Sequence, residues 1–127
     1  MSRGRILYIE DNFENRILVK RVLEVEDYVV LEADDGPSGM RVAEREVPDL
    51  ILMDINLPEI DGYEVTAKLR QIPSLARVPI VALTANVLRG DRERSLAAGC
   101  DGYIQKPIDV DLLPAQIAAF LSARRKR

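Results

Sequence analysis

Five short segments rich in apolar residues recur along the 127-residue chain, and each is long enough for one β-strand. They cover residues 5–9, 29–33, 50–53, 78–83 and 103–105. The first, third and fourth are almost entirely apolar, which is typical of strands covered by helices on both faces. Helical patterns lie between the segments. This alternation predicts an α/β domain with a doubly wound, five-stranded parallel sheet and five helices.

Charged or hydroxylic residues follow four of these segments directly. They are Glu10 and Asp11 after the first, Asp54 after the third, Thr84 after the fourth and Lys106 after the fifth. One strand, one helix and two short loops account for the interval from Asp54 to Thr84, and again for that from Thr84 to Lys106. Right-handed crossovers place the carboxyl ends of parallel strands at one edge, where open α/β sheets bind ligands. We therefore expect these residues to share one site.

Apolar residues at helical spacing predict which faces of three helices pack on the sheet. The predicted stripes are Leu18, Val22 and Val25, then Val65, Leu69 and Ile72, and finally Leu113, Ile117, Phe120 and Leu121. Residues 86–98 predict a fourth helix with little apolar face, because Gly90 interrupts it and charged residues follow at 91–94. We expect this helix to be the least firmly held element.

Short polar residues and glycine mark the expected ends of several helices. Asn12 is predicted to cap the first helix and Asp109 the last, since such side chains accept hydrogen bonds from the N–H groups of a first turn. Residues 35–38 are predicted to turn the chain into the second helix, with Pro37 tolerated in its first turn. Gly99 is well placed to end the fourth helix.

Composition limits the kinds of function that the chain supports. Apolar residues at 47% and charged residues at 31% predict one folded domain over residues 1–127, with flexible ends at 1–4 and 124–127. The net charge of −3 argues against direct nucleic-acid binding. With no histidine and the single Cys100, any bound metal should have oxygen ligands. No segment resembles a membrane span or a signal peptide, so we expect no membrane partner and a cytoplasmic location.

The charge of the expected site suits a hard divalent cation. Glu10, Asp11 and Asp54 bring three negative charges and Lys106 returns one, which leaves a negative surplus. Mg²⁺ prefers oxygen ligands in octahedral geometry, so these carboxylates and the backbone carbonyl of Asn56 are suitable ligands. A plainer interpretation stays open for Glu10 and Asp11, because acidic residues also stabilise the N-terminus of a following helix.

An ionised aspartate at a strand end can act as a nucleophile. In that role Asp54 attacks phosphorus in line and forms an acyl phosphate, while Lys106 holds the phosphoryl oxygens and Thr84 donates a hydrogen bond to one of them. Each residue alone also has a structural interpretation: Asp54 as a loop cap, Lys106 as a solvated lysine and Thr84 as an ordinary strand residue. Their combination favours phosphorylation of a carboxylate assisted by a cation.

Four segments together resemble the receiver domains of two-component response regulators, which have the CheY-like fold. The segments are YIEDN at 8–12, DLILMDINLPEIDG at 49–62, ALTA at 82–85 and AGCDGYIQKP at 98–107. The resemblance implies a flavodoxin-like sheet with strand order 2-1-3-4-5. It also implies a signalling switch rather than an enzyme, which takes a phosphoryl group from a histidine kinase or histidine phosphotransfer protein with Mg²⁺. A downstream protein, or a second copy in a phosphorylation-linked dimer, would then bind the face of the fourth helix, fifth strand and fifth helix.

The resemblance also implies a role for each site residue. Asp54 corresponds to the phosphoacceptor and Lys106 to the residue that contacts the phosphoryl group. The Mg²⁺ ligands correspond to Glu10, Asp11, Asp54 and the backbone carbonyl of Asn56. Thr84 and Tyr103 correspond to a switch pair. From the residues alone, Tyr103 is equally a half-buried tyrosine of an edge strand. A cis peptide bond is implied between Lys106 and Pro107.

Other functions remain to be separated from this one. The motifs resemble stand-alone DivK-type receivers and, equally, receivers attached to hybrid kinases. A flavodoxin-like electron carrier would need a loop that accepts phosphate after the first strand, where this chain has Glu10 and Asp11. A phosphohydrolase with an aspartyl-phosphate intermediate would need a second aspartate as acid and base, where this chain has Asn56.

Overall fold

Residues 2–85 and 89–123 are described by a computed structural model of the chain, without the side chains of residues 89–92. Of the ends predicted to be flexible, Met1 and residues 124–127 lie outside the described residues, as does the predicted start of the fourth helix at 86–88. Within the segment 1–4 that was predicted to be flexible, Gly4 is the first residue of a strand.

The sheet has five parallel strands in the order β2-β1-β3-β4-β5, which confirms the predicted fold. The strands are β1 (Gly4–Ile9), β2 (Tyr28–Ala33), β3 (Leu50–Asp54), β4 (Ile80–Thr84) and β5 (Gly102–Gln105). The fourth begins two residues later than predicted. The reason is local, because the N–H of Val78 bonds back to the carbonyl of Leu75 and Pro79 has no N–H to donate.

Along the described part of the chain, four α-helices and one 3₁₀ turn connect the strands, and a fifth α-helix follows β5. The helices are α1 (Phe13–Val25), α2 (Gly36–Glu46), α3 (Gly62–Arg70), α4 (Arg89–Ala98) and α5 (Leu113–Ser122), and the 3₁₀ turn is Pro73–Leu75. The predicted cap of α1 is confirmed, since the side chain of Asn12 accepts from the N–H of Asn15. Gly99 follows α4 with φ of 106°, also as predicted. Within the described ranges, no helix has both the length and the apolar composition needed to cross a membrane.

Two predictions about the helices are wrong. The carboxylate of Asp109 accepts from the N–H of Asp111, so it caps the turn before α5 rather than α5 itself. The buried face of α1 is centred on Val19 and Leu23, one residue later than the predicted stripe. Of that stripe, Val22 packs against the same apolar layer, whereas Leu18 is 47% exposed. Val25 is consequently 80% exposed, because the last turn of α1 directs it away from the sheet.

Two apolar layers cover the faces of the sheet, since alternate residues of a strand point to opposite sides. On one side, Leu7, Ile9 and Met53 pack against α2 and α3. On the other, Ile6, Tyr8 and residues of β3 and β4 pack against α1 and α5. Burial on both faces explains why the central strands are almost entirely apolar, and it leaves the strand ends as the place for polar chemistry.

The C-terminal end of α2 carries a valine in a left-handed conformation. Val47 has φ of 43° and ψ of 73°, a region that β-branched residues rarely occupy. Val47→Gly should therefore raise the free energy of unfolding by about 1 kcal/mol, measured by urea denaturation. Val25→Gly is the matched control, because Val25 is exposed at the end of α1 without a positive φ and should lose stability. A loss of stability in both variants would contradict the assigned strain.

Candidate functional site

The register of the sheet brings the polar strand ends to one edge. Asp54, the last residue of β3, pairs with Leu83, and Thr84, the last residue of β4, pairs with Gln105. Ile9 of β1 pairs with Met53, so Glu10 continues from β1 beside Asp54. Lys106 follows β5 directly, and its N–H bonds to the carbonyl of Thr84 at 2.8 Å.

Three carboxylates meet at this edge. One oxygen from each of Glu10, Asp11 and Asp54 lies within 4.8 Å of the others. Glu10 is 1% exposed and Asp54 2%, whereas Asp11 is exposed. The cluster therefore reaches from the protein interior to solvent, and a cation from solvent can approach it through Asp11.

Lys106 supplies the positive charge beside the buried carboxylates. Its Nζ lies 3.0 Å from Oδ1 of Asp54 and 3.4 Å from Oε1 of Glu10. Burial alone would lower the pKa of Lys106, but the hydrogen bond and the charge of Asp54 outweigh burial and raise it. The ammonium group therefore stays charged across the physiological range and bridges two carboxylates from different strands.

Glu10 is held by donors on three sides. The hydroxyl of Tyr8 donates to Oε1 at 3.0 Å, and the N–H of Asn12 donates to Oε2 at 3.2 Å. Arg16 donates to the backbone carbonyl of Glu10 at 2.7 Å. Burial, and after it the hydrogen bond and charge of Asp54, raises the pKa of Glu10 above its usual range. A cation at this site would favour the ionised carboxylate.

The donor set suits a hard divalent cation and no softer metal. It consists of carboxylate oxygens. The thiol of Cys100 is buried against Thr66 in the apolar layer of α3, and burial raises its pKa to about 11. Three carboxylates against the one ammonium of Lys106 leave a net negative site. Mg²⁺ is the common cation with these preferences. The remaining predicted ligand, the carbonyl of Asn56, stays a prediction, although the N–H of Asn56 donates to Oδ1 of Asp54 at 3.1 Å.

Residues 6–118 match the family model of the response regulator receiver domain. The chain belongs to this family. It is a receiver domain of two-component signalling, and receivers act as switches that work with kinases or phosphotransfer proteins and with downstream targets. The family resemblance predicted from the sequence is thus confirmed.

Individual relatives cover nearly the whole receiver. The polar-differentiation response regulator DivK of Brucella anthropi is 38% identical over 116 residues, which are 91% of this chain and 94% of that protein. The receiver domain of sensor histidine kinase PA1611 from Pseudomonas aeruginosa, solved with a magnesium ion in its active site cleft, is 40% identical with a TM-score of 0.86, covering 94% of this chain and 98% of that one. The chemotaxis response regulator CheY4 of Vibrio cholerae is 25% identical with a TM-score of 0.88, covering 91% of this chain and 97% of that one.

The residues predicted as a switch pair lie on the two strands next to the site. Thr84 ends β4 and is 4% exposed, whereas Tyr103 in β5 is half-buried and packs against the apolar layer of α2 and α3. In the sheet, Thr84 is therefore close to Asp54, and Tyr103 is one strand further out.

The Lys106–Pro107 peptide bond of the receiver is cis.

The helix next to this pair packs on α3 through a polar contact. Ser95 of α4 is 2% exposed and its Oγ lies 3.4 Å from the hydroxyl of Tyr63 in α3. The guanidinium of Arg94 lies over the ring of Tyr63, 4.5 Å from its centroid. Leu96 of α4 is 61% exposed. Among the side chains that the structure describes in α4, polar contacts are thus prominent, in keeping with the small apolar face predicted for the fourth helix.

Sequence reasoning missed one group that supports the site and one ion pair at the opposite, amino-terminal edge of the strands. Tyr8 is the one hydroxyl-bearing residue of β1 and lies two residues before Glu10. This spacing was a detectable signal, because residues two apart in a strand share a face. Arg70 and Asp101 pair at 2.5 Å across 31 positions of sequence, and no local pattern marks that pairing.

Proposed function

We propose that this receiver is a phosphorylation switch in which Asp54 accepts a phosphoryl group from a phosphohistidine and a partner protein then recognises the altered surface. The observation that carries the proposal is the arrangement at Asp54. Its buried carboxylate is bound by Lys106 at 3.0 Å and adjoins the carboxylates of Glu10 and Asp11. This combination of a nucleophile, a fixed cation and a cation-binding cluster suits phosphoryl transfer.

The transfer step follows from these positions. A carboxylate oxygen of Asp54 attacks phosphorus in line and forms the new P–O bond while the P–N bond to the donor histidine breaks, and the imidazole nitrogen keeps the electron pair. Lys106 neutralises charge on the phosphoryl oxygens, and Glu10 with Asp11 would hold Mg²⁺ together with Asp54 and the carbonyl of Asn56. When bound, Mg²⁺ supplies the positive charge that lets an anionic group approach three carboxylates.

The signal would spread from Asp54 through Thr84. A phosphoryl oxygen accepts a hydrogen bond from the Thr84 hydroxyl, the movement of Thr84 makes room for Tyr103 to turn inward, and α4 shifts with its flanking loops. The small apolar face of α4 supports this route, since a weakly held element needs little energy to move. The downstream protein, or a second receiver, would bind the face formed by α4, β5 and α5.

The architecture of the whole protein stays open between two alternatives. The relatives include DivK, a response regulator, and the receiver of the sensor histidine kinase PA1611. Both kinds of receiver would take a phosphoryl group on the same edge. The proposed step at Asp54 is therefore common to a stand-alone receiver and to a receiver within a hybrid kinase.

A small phosphodonor tests the proposal directly. With Mg²⁺ and acetyl phosphate, the intact mass should increase by one phosphoryl group, and beryllium fluoride with Mg²⁺ should shift the backbone amide resonances around Asp54. Asp54→Asn and removal of Mg²⁺ with a chelator should each abolish both responses. An equal mass increase in Asp54→Asn would show that another residue is the acceptor.

A further inference from the structure

Tyr8 brings the one hydroxyl of β1 to the back of the carboxylate cluster. Its ring is fully buried and its hydroxyl donates to Oε1 of Glu10 at 3.0 Å. We infer that Tyr8 is a positioning residue, which fixes the Glu10 carboxylate in the orientation that binds Mg²⁺. The inference rests on the proposed function, because it assigns to Tyr8 a part in the cation site of that function.

Packing alone does not require a hydroxyl at this position. The ring of Tyr8 lies among apolar residues of β1, β3 and α1, such as Ile6, Leu52 and Val19, and phenylalanine would bury the same ring. A hydroxyl placed in such surroundings costs free energy unless it has a hydrogen-bond partner. Its partner here is Glu10, itself 1% exposed. The hydroxyl is therefore explained by the carboxylate that it contacts.

The contacts of Glu10 show what the hydroxyl adds. Oε2 accepts from the N–H of Asn12, while Oε1 is shared between Tyr8 at 3.0 Å and Lys106 at 3.4 Å. Lys106 also binds Asp54 at 3.0 Å, so its position depends on more than Glu10. Tyr8 is anchored by the strand and bonds only toward Glu10 among the described residues. It is thus the rigid donor that sets the plane of the carboxylate.

Loss of the hydroxyl should weaken Mg²⁺ binding rather than strengthen it. Groups that orient a metal ligand typically contribute about 10–100-fold to metal affinity. Without Tyr8, the Glu10 carboxylate can rotate toward Lys106 and would have to be reoriented when the cation binds. If the hydroxyl instead competed with the cation for Oε1, its removal would increase affinity, so the direction of the change decides between the two roles.

The test is Tyr8→Phe in the full chain, with Mg²⁺ affinity measured by isothermal titration calorimetry. We expect Kd to rise about 10-fold while the protein stays folded, since the ring is kept. Tyr28→Phe is the matched control, because Tyr28 is also buried in a strand but lies at the N-terminal end of β2, away from the site, and its Kd should not change. An unchanged or lower Kd in Tyr8→Phe, or a variant that fails to fold, would overturn the inference.

A second measurement distinguishes positioning from a general loss of structure. The side-chain carboxyl ¹³C resonance of Glu10 should shift in metal-free Tyr8→Phe and stay in place in Tyr28→Phe, because only the first variant removes a donor to that carboxylate. No shift in Tyr8→Phe would overturn the inference while leaving the proposed function intact. A wild-type protein that does not bind Mg²⁺ would overturn both.

Discussion

Arg70→Met should lower the free energy of unfolding by about 3 kcal/mol, a large fraction of the stability of a domain of this size. Arg70 is the last residue of α3, and its guanidinium bonds to the carboxylate of Asp101 at 2.5 Å. It also donates to backbone carbonyls, among them those of Gly99 at 2.9 Å, Leu75 at 3.1 Å and Val78 at 2.6 Å. One side chain thus joins α3, the turn before β4 and the loop between α4 and β5.

The size of this effect comes from the groups that Arg70 leaves behind. The side chain of Asp101 is only 21% exposed, and its carboxylate also accepts from the N–H of Ile80 at 2.8 Å, which holds it in place. Removing one partner of such a pair costs more free energy of unfolding than the intact pair contributes, because the remaining charge stays desolvated. Methionine preserves the aliphatic part of the side chain, so the loss reports on the guanidinium.

Arg45→Met is the matched control for urea unfolding. Arg45 also pairs with a carboxylate, that of Glu46 at 3.1 Å, but its side chain is 67% exposed. Exposed ion pairs contribute little, so the change should stay within about 0.5 kcal/mol. Asp101→Asn combined with Arg70→Met should destabilise by less than the sum of the single variants. Additive losses, or equal losses at Arg70 and Arg45, would contradict the assigned network.

The consequence for signalling concerns α4. Arg70 contacts the carbonyl of Gly99, which directly follows α4, so it anchors the C-terminal end of that helix. The proposed shift of α4 and its flanking loops would then be larger at the end nearer Thr84. Loss of the anchor in Arg70→Met should make the amide hydrogens of the last turn of α4 exchange faster with solvent.

How much the sequence could predict depends on how far apart the interacting residues lie. Asp54 and Thr84 were predictable because parallel strands bring their carboxyl ends together whatever the details of packing. The contact of Arg70 with Asp101 depends on where α3 ends relative to the loop after α4, and periodicity carries no such information. The buried face of α1 was predicted one residue out for a related reason, because the sequence does not reveal how the helix is rotated on the sheet.

Gly62→Ala should destabilise the protein by about 2 kcal/mol and also weaken occupancy of the site, although helix propensity alone favours alanine. Gly62 is the first residue of α3, and its N–H bonds to the carbonyl of Ile55 at 3.0 Å. A Cβ added there would lie 2.5 Å from the carbonyl oxygen of Asp54 and 2.8 Å from Cα of Ile55. These are backbone atoms, so a side-chain rotation cannot relieve the contact.

The backbone that must move to accommodate the added methyl group is the segment that carries the proposed phosphoacceptor. We therefore expect Gly62→Ala to lower both the urea midpoint and the affinity for beryllium fluoride with Mg²⁺. Ala67→Gly separates the two effects, because Ala67 is exposed in the same helix and should lose about 1 kcal/mol through propensity with unchanged affinity. An unaltered affinity of Gly62→Ala for beryllium fluoride with Mg²⁺ would mean that the Asp54 carboxylate keeps its position when the end of β3 is displaced. The close packing of α3 on β3 would then serve stability alone.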